Sequence, residues 1–248
     1  GKEPAGLPNI GESWELSGYP TDASVVANGY LAGKSLPELI EKYGEQLVGK
    51  RVFERFGNTF PLLFKQIDAN DDLSIQVHPN DQTARKRHNS FGKTEMWYVL
   101  HAEPEASLII GFTKKCTKKL YLEALEMGEV ETLLQKVPVQ AGDVFFIPAG
   151  LVHAIGRGVM VAEIQESSDV TYRIYDYKRT DEKGNERELH TAEALDVINF
   201  SASKNPKTPY SLTSNADPQL LVSCEYFTTN IMELEKPRRM QNVHDGTF

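Results

Sequence analysis

The chain has 248 residues, of which 25% are charged and 40% are hydrophobic, enough for one large or two small domains with a buried core. Its net charge of −8 and its lack of a long basic stretch make nucleic acid and anionic membranes poor partners, although a few local cations would suffice for a phosphorylated small molecule. The two cysteines, Cys116 and Cys224, exclude a disulfide framework or a cysteine-based zinc knuckle, and no segment predicts a membrane helix or a secretory signal.

Short β-rich runs recur along the chain. Each is rich in Val, Ile, Phe or Tyr and is bounded by turn residues. The predicted strands are residues 60–67, 73–78, 95–100, 107–112, 143–147, 159–166 and 171–175. Many short strands predict a β-sandwich or a barrel.

Four helical segments interrupt these strands. They are residues 35–47, 80–88, 117–136 and 191–198. The first opens with a capping signature, Ser35 followed by Glu38. Gly128 is expected to split the third into two helices, and Thr191 is a suitable N-cap for the fourth.

Residues 177–189 are densely charged. We interpret them as a solvated hairpin or loop with Gly184 and Asn185 at its turn, and we favour this over a binding role.

The first candidate for metal chemistry is the predicted strand before Pro79. Because side chains of a strand alternate between its faces, one face carries Leu73, Ile75 and Val77 and the other carries Ser74, Gln76 and His78. An amide and an imidazole two residues apart can offer two ligands to one ion. A solvent-exposed polar face is the alternative.

A second candidate is the next predicted strand, which places Lys93, Glu95 and Trp97 on one face. A carboxylate in an otherwise apolar run is costly to bury unless it is paired or coordinated. The alternative is a Lys93–Glu95 pair at the surface.

The third candidate is an apolar strand that enters a turn and is followed by a histidine. Gly142, Pro148, Gly150 and His153 have the spacing of the second motif of the cupin superfamily. The turn would reverse the chain and direct His153 into the core. A structural histidine is the alternative.

Three segments together resemble type I mannose-6-phosphate isomerase in its shorter bacterial form. They are residues 74–79 (SIQVHP), 92–98 (GKTEMWY) and 147–154 (IPAGLVHA). Residues 11–17, 60–70 and 168–177 also fit that family, so the resemblance extends from about Gly11 to the end of the chain. Gln76 stands where most cupins have a histidine, which is this family's own pattern, whereas Arg157 replaces an asparagine found in cupins generally.

The resemblance implies a mainly β fold, a cupin jelly-roll (double-stranded β-helix) with inserted helices and part of a second jelly-roll. We expect a catalytic domain over residues 1–222 and the start of a smaller β domain over 223–248. That second domain would be incomplete, because the family continues past the strand expected at 226–234. The chain begins with Gly1 rather than Met, so we expect residues to precede it.

The resemblance also implies one zinc ion, Zn²⁺, held by Gln76, His78, Glu95 and His153. Such a set leaves a position for water or a substrate oxygen, as a catalytic zinc requires. His153 would need a partner for its other ring nitrogen, which the sequence does not identify. The implied reaction interconverts mannose 6-phosphate and fructose 6-phosphate through a zinc-assisted cis-enediol proton transfer.

The catalytic residues implied by the resemblance are Arg173, Lys93 and Asp169. Arg173 would stabilise the developing oxyanion, unless it only pairs with Asp169 or Asp176. The base is left open between a metal-bound hydroxide, Lys93 with a lowered pKa, and Asp169.

Ser74 and Lys65 occupy positions that hold the substrate phosphate in related enzymes. Alternatively, Lys65 extends to solvent. We expect a cytoplasmic protein, a monomer or weak homodimer, that binds a small sugar phosphate and neither nucleic acid nor membrane. A non-catalytic sugar-phosphate cupin and an iron cupin oxygenase are the competing hypotheses; Arg173, Lys93 and the glutamine ligand argue against them.

Overall fold

Antiparallel β-strands dominate the computed structural model, which describes residues 10–181, 183–212 and 217–234. The strands are β1 (Glu12–Ser17), β2 (Leu62–Ala69), β3 (Ile75–Val77), β4 (Glu95–Ala102), β5 (Ser107–Phe112), β6 (Leu134–Pro138), β7 (Val144–Ile147), β8 (His153–Ile155), β9 (Val159–Glu166), β10 (Tyr172–Tyr175), β11 (Gln219–Ser223) and β12 (Thr228–Ile231). The helices are α1 (Leu36–Tyr43), α2 (Glu45–Val48), α3 (Lys50–Phe56), α4 (Asp81–His88), α5 (Lys118–Met127) and α6 (Thr191–Val197).

The strands form two five-stranded sheets and one hairpin. The first sheet has the order β1-β2-β9-β4-β7, the second has the order β10-β3-β8-β5-β6, and β11 pairs with β12. The pairs of the second sheet are antiparallel, as is the pair of β4 and β7. The prediction of a mainly β fold with inserted helices is confirmed.

The chain divides into two compact units. The larger comprises Gly1–Ser13, Gln66–Glu163 and Ser168–Thr208, and the smaller comprises Trp14–Lys65, Ile164–Ser167 and Pro209–Phe248. Strand β11 extends across the predicted boundary between residues 222 and 223. The division into a catalytic domain and a second jelly-roll stays a prediction.

Two apolar clusters organise the larger unit. One lies between its two sheets and draws on both, with Trp97 and Val161 from the first sheet and Leu108 and Ile155 from the second. The other lies on the outer face of the second sheet, where side chains from β3 and β10 pack with Tyr121 of α5 and neighbouring residues. Apolar side chains therefore pack against both faces of the second sheet, and its inner face lies against the first sheet.

Local signals account for most of the helix boundaries. Asn80 caps α4 through its side chain, and Gly128 ends α5 with a left-handed φ of 73°. Two predictions were wrong. The helix expected after Gly128 is a short 3-10 turn (Val130–Leu133) followed by β6, because pairing with β5 buries Leu134 and Val137. The N-cap of α6 is His190 and not Thr191.

Helix α1 begins with the capping box that the sequence predicts. Ser35 accepts from the backbone N–H of Glu38, and the Glu38 carboxylate accepts from the backbone N–H of Ser35. This backbone hydrogen bond is the main reason that the pKa of Glu38 is lowered to about 2. The contribution of this ionised carboxylate to stability is fully present above its ordinary value of 4.5 and is lost progressively as the pH falls from there toward 2.

We expect Ser35→Ala to lower the free energy of unfolding by about 1 kcal/mol, because it removes the acceptor at the start of α1. Urea denaturation measures the change. Ser211→Ala is the matched control, since this serine is exposed and lies outside the helices and strands. Equal losses in the two variants would show that the cap does not stabilise α1.

Across the described residues, no helix combines the length and apolar character needed to span a membrane.

Candidate metal centre

A row of polar side chains crosses three neighbouring strands of the second sheet. Arg173 of β10 lies opposite Gln76 of β3, and Gln76 lies opposite His153 of β8. Residues directly opposite in a sheet share a face. Their neighbours Tyr172, Val77 and Ala154 belong to the apolar cluster on the outer face, so Arg173, Gln76 and His153 face the interior between the sheets.

His78, Glu95 and His153 converge at this point. The two histidine Nε2 atoms are 3.1 Å apart. Glu95 Oε1 lies 3.3 Å from Nε2 of His153, and Glu95 Oε2 lies 3.6 Å from Nε2 of His78. All three residues are buried, and their candidate ligand atoms lie within 4.8 Å of one another. The family resemblance implied this grouping of residues from three separate segments.

Backbone carbonyls fix both imidazoles. His153 Nδ1 lies 2.8 Å from the carbonyl oxygen of Leu151, and His78 Nδ1 lies 3.1 Å from that of Val170. Each Nδ1 therefore carries a proton and donates it, so that a neutral imidazole in this tautomer has the lone pair of its Nε2 directed at the centre. Leu151 is the partner of His153 that the sequence alone did not reveal.

The geometry and charges of this cluster suit a cation. Burial is the main reason that the pKa of His153 is lowered to about 4, so its Nε2 is an unprotonated donor at neutral pH. Two lone pairs 3.1 Å apart repel one another unless a positive charge lies between them. A tetrahedral ion with bonds of about 2.0–2.1 Å spaces its ligand atoms about 3.3 Å apart. The two histidine Nε2 atoms are 3.1 Å apart, and Nε2 of His153 lies 3.3 Å from Glu95 Oε1.

Gln76 lies beside this cluster and is less buried than its members. Its amide nitrogen lies 3.3 Å from Nε2 of His153, and a half-turn of the amide presents Oε1 at that place instead. Gln76 is only partly buried, whereas the two histidines and Glu95 are fully buried.

The turn of the predicted cupin motif holds both histidine-bearing segments. Gly150 has a φ of 85°, and a Cβ there would lie 2.7 Å from the carbonyl oxygen of Val197. Its N–H donates to the carbonyl oxygen of His78 at 2.9 Å. Glycine is required here for both conformation and space, which explains its place in the motif.

Lys93 lies beside the centre and is buried. Its Nζ is 3.3 Å from Glu95 Oε2, so the alternative of a surface pair was wrong. Burial alone would lower the pKa of Lys93, but the negative charges of Glu95, Glu163 and Glu12 outweigh it, and the pKa is raised. Lys93 is therefore an ammonium ion that balances the charge of Glu95.

Glu163 is a buried carboxylate that the sequence analysis missed. It accepts a hydrogen bond of 2.8 Å from the indole N–H of Trp97, whose ring meets that of His153 edge to face. The burial argument applied to Glu95 could have found it, because Val159 and Val161 precede it on the same inward face of β9.

Arg173 has no carboxylate partner within the described part of the chain. Its Nη1 donates to the carbonyl oxygen of Glu188 at 2.9 Å, while Asp176 pairs with Arg179 and Arg187. Burial and then the charge of Arg187 are the main reasons that the pKa of Arg173 is lowered. The alternative interpretation, a salt bridge of Arg173 with Asp169 or Asp176, is not what the structure shows.

The remaining predicted site residues have different surroundings. Asp169 is exposed between β9 and β10, next to Val170. Ser74 is buried immediately before β3. Lys65, in the smaller unit, is also buried and lies with its Nζ 4.7 Å from the centre of the Trp14 ring, so it does not extend to solvent.

The segments that carry His78 and Glu95 are joined at Gly92. Its N–H donates to Asp81 Oδ1 at 2.8 Å, and the N–H of Lys93 donates to the carbonyl oxygen of Pro79 at 3.1 Å. A Cβ on Gly92 would lie 2.5 Å from the backbone nitrogen of Asp81, which cannot move without the chain.

We expect Gly92→Ala to lower the free energy of unfolding by about 1–3 kcal/mol, because one of the two segments must shift. Gly11→Ala is the control, since its Cβ would meet only the carbonyl oxygen of Asp68 at an ordinary 3.5 Å. Chemical denaturation of both variants measures the difference. A smaller loss in Gly92→Ala than in Gly11→Ala would contradict the close approach.

Known proteins resemble this chain in sequence and in fold. Residues 5–121 match the catalytic domain of type I phosphomannose isomerase. A mannose-6-phosphate isomerase of Streptococcus mutans is 39% identical over 94% of this chain and 72% of its own length. One from Bacillus subtilis is 40% identical over 95% of this chain and 76% of its own length.

The fold agrees with these sequence relationships. The crystal structure of a mannose 6-phosphate isomerase from Bacillus subtilis superposes with a TM-score of 0.77 at 37% identity, covering 88% of this chain and 68% of that one. The predicted cupin-like fold is thereby confirmed. The chain belongs to the type I mannose-6-phosphate isomerases, a family of aldose–ketose isomerases.

Proposed function

We propose that this chain interconverts mannose 6-phosphate and fructose 6-phosphate with the aid of one zinc ion held by Gln76, His78, Glu95 and His153. The convergence of His78, Glu95 and His153 in a buried, conformationally fixed cluster is the observation that carries the proposal. The substrate is inferred from the similar proteins of Streptococcus mutans and Bacillus subtilis, which are mannose-6-phosphate isomerases.

The donor set supports zinc. It offers two imidazole nitrogens, one carboxylate and one amide, and its spacing fits a tetrahedral ion. When bound, zinc acts as a Lewis acid that polarises the substrate oxygens and leaves a position open for them. The carbonyls of Leu151 and Val170 hold the ligand imidazoles in the tautomer that this requires.

Arg173 is the residue that we assign to charge stabilisation. The reaction takes a proton from C2 of the aldose and returns one to C1, and negative charge develops on the substrate oxygens between these steps. The guanidinium of Arg173 lies on the same inner face as Gln76 and is held by a neutral carbonyl, not by a carboxylate. Its full positive charge is therefore available to the substrate.

Lys93 and Asp169 are the protein groups proposed to move the proton. Lys93 is beside Glu95 and inside the site. Its ammonium form can return a proton to C1, whereas taking the proton from C2 requires its neutral form or another base. Asp169 is exposed and adjoins Val170, whose carbonyl fixes His78. Retention of proton transfer in Lys93→Met would favour Asp169.

Ser74 is proposed to contribute a hydroxyl to the substrate phosphate. It stands two residues before Gln76 and is buried at the start of β3. Lys65 is proposed as a phosphate-binding cation because of the family resemblance.

A direct assay tests the function. Purified protein is supplied with mannose 6-phosphate or glucose 6-phosphate, fructose 6-phosphate formation is measured, and bound metal is quantified by mass spectrometry. We expect turnover of mannose 6-phosphate, much slower turnover of glucose 6-phosphate, and about one zinc per chain. Binding without turnover would identify a non-catalytic sugar-phosphate cupin, and iron in place of zinc would contradict the proposed metal.

A further inference from the structure

The guanidinium of Arg173 is positioned by a short segment of the charged hairpin. Its Nη1 donates to the carbonyl oxygen of Glu188 at 2.9 Å. The backbone N–H of Arg173 donates to Nδ1 of His190 at 3.1 Å, and the N–H of His190 donates to the carbonyl oxygen of Arg173 at 2.8 Å. Residues 188–190 are thus joined to both the backbone and the side chain of Arg173.

A buried carboxylate anchors this segment. Asp176 is only 4% exposed, and Arg187 binds it as a fork, with Nε 2.7 Å from Oδ2 and Nη2 2.6 Å from Oδ1. Two parallel bonds to a carboxylate fix direction as well as distance. Because Arg187 immediately precedes Glu188, the fork also fixes the peptide whose carbonyl holds Arg173.

We propose that Arg187 is a positioning residue for the isomerisation, acting through Asp176 and the Glu188 carbonyl to orient Arg173. The inference rests on the proposed function of Arg173. A displaced guanidinium would still be present and charged, but it would no longer be preorganised toward the developing oxyanion.

Asp176 provides a matched control. Its other partner is Arg179, which also donates to the carbonyl oxygen of Asp72 at 2.7 Å and lies 3.6 Å from the carboxylate of Asp71. Within the described residues, Arg179 forms no hydrogen bond or ion pair with residues 187–190. Loss of either arginine leaves Asp176 with one ion pair, but only the loss of Arg187 releases the segment that holds Arg173.

The experiment compares Arg187→Gln with Arg179→Gln in the zinc-loaded enzyme. We expect Arg187→Gln to lower kcat about tenfold or more with KM changed less than about threefold, whereas Arg179→Gln leaves kcat within about twofold. Arg187→Lys keeps the charge without the fork and should fall in between. It also serves as the test variant if Arg187→Gln does not fold. Equal kcat values for Arg187→Gln and Arg179→Gln overturn the inference.

A double-mutant cycle separates this inference from the proposed function. If Arg187 acts through Arg173, Arg187→Gln has no further effect on kcat in the Arg173→Ala background. If Arg173→Ala itself leaves kcat unchanged, the proposed role of Arg173 is wrong. If Arg173→Ala lowers kcat but the two losses multiply, Arg173 retains its role and the positioning role of Arg187 is wrong.

A measurement without turnover addresses the same contact. In protein with ¹⁵N-labelled arginine, the Nε–H signal of Arg173 is assigned by its disappearance in Arg173→Lys. We expect guanidinium rotation to become faster in Arg187→Gln and to stay unchanged in Arg179→Gln. Unchanged rotation in Arg187→Gln contradicts the inference irrespective of any assay.

Discussion

We expect chelation to abolish isomerisation and stoichiometric zinc to restore it. The proposed mechanism uses a Lewis acid for the substrate oxygens, and the loss of several kcal/mol of charge stabilisation corresponds to a fall in kcat of at least about a thousandfold. The His78–Glu95–His153 cluster supplies nothing that replaces a dication, because both imidazoles present lone pairs. Activity is measured before chelation, after it, and after titration with zinc.

Loss of fold must be distinguished from loss of chemistry. The ammonium of Lys93 lies 3.3 Å from the buried carboxylate of Glu95. Glu95 therefore still has a partner of opposite charge when the metal is removed. We therefore expect the far-UV circular dichroism of the metal-free protein to be native-like. Glu95→Gln should prevent zinc binding, whereas His101→Ala should not, since His101 is exposed. Full activity of verified metal-free protein would falsify the proposed mechanism.

Local sequence rules predicted much of the site because its strands and turns are short. Strand alternation correctly places Gln76 on the inward face and Ile75 and Val77 in the outer cluster. It fails at Leu73, which precedes β3 and is exposed. The Pro148–Gly150 turn predicted that His153 enters the core, and it also places the Leu151 carbonyl within reach of Nδ1.

Other features depend on contacts between distant segments and could not be predicted. The opposition of Arg173 and Gln76 follows from the register of β10 against β3, which is set by packing of both outer faces against helices. The predicted hairpin at 177–189 is supported by the bridge between Thr180 and Glu186. Its charges suggested solvation, yet Arg187 of that segment pairs with a buried carboxylate.

The second large effect is expected from Arg173→Ala, which should lower kcat about a hundredfold to a thousandfold and change KM only a few-fold. Losses of this size follow when a donor to a developing oxyanion is removed, and a group that acts only in the transition state affects kcat more than KM. Arg173→Lys should recover part of the loss, because an ammonium keeps the charge without the fork. Arg157→Ala is the control for removing an exposed arginine.

Whether Arg173→Ala changes mainly kcat or mainly KM decides which part of the substrate Arg173 binds. Arg173 is one strand from Gln76, and neighbouring strands are about 4.8 Å apart. Its place on the inner face therefore favours the reacting carbons, next to the proposed metal ligands. A residue that bound the distal phosphate would stabilise substrate and transition state equally, and its loss would raise KM with kcat preserved. Because Arg173 is held by a neutral carbonyl while Asp176 is occupied by two other arginines, its charge stays available at neutral pH even though burial lowers its pKa.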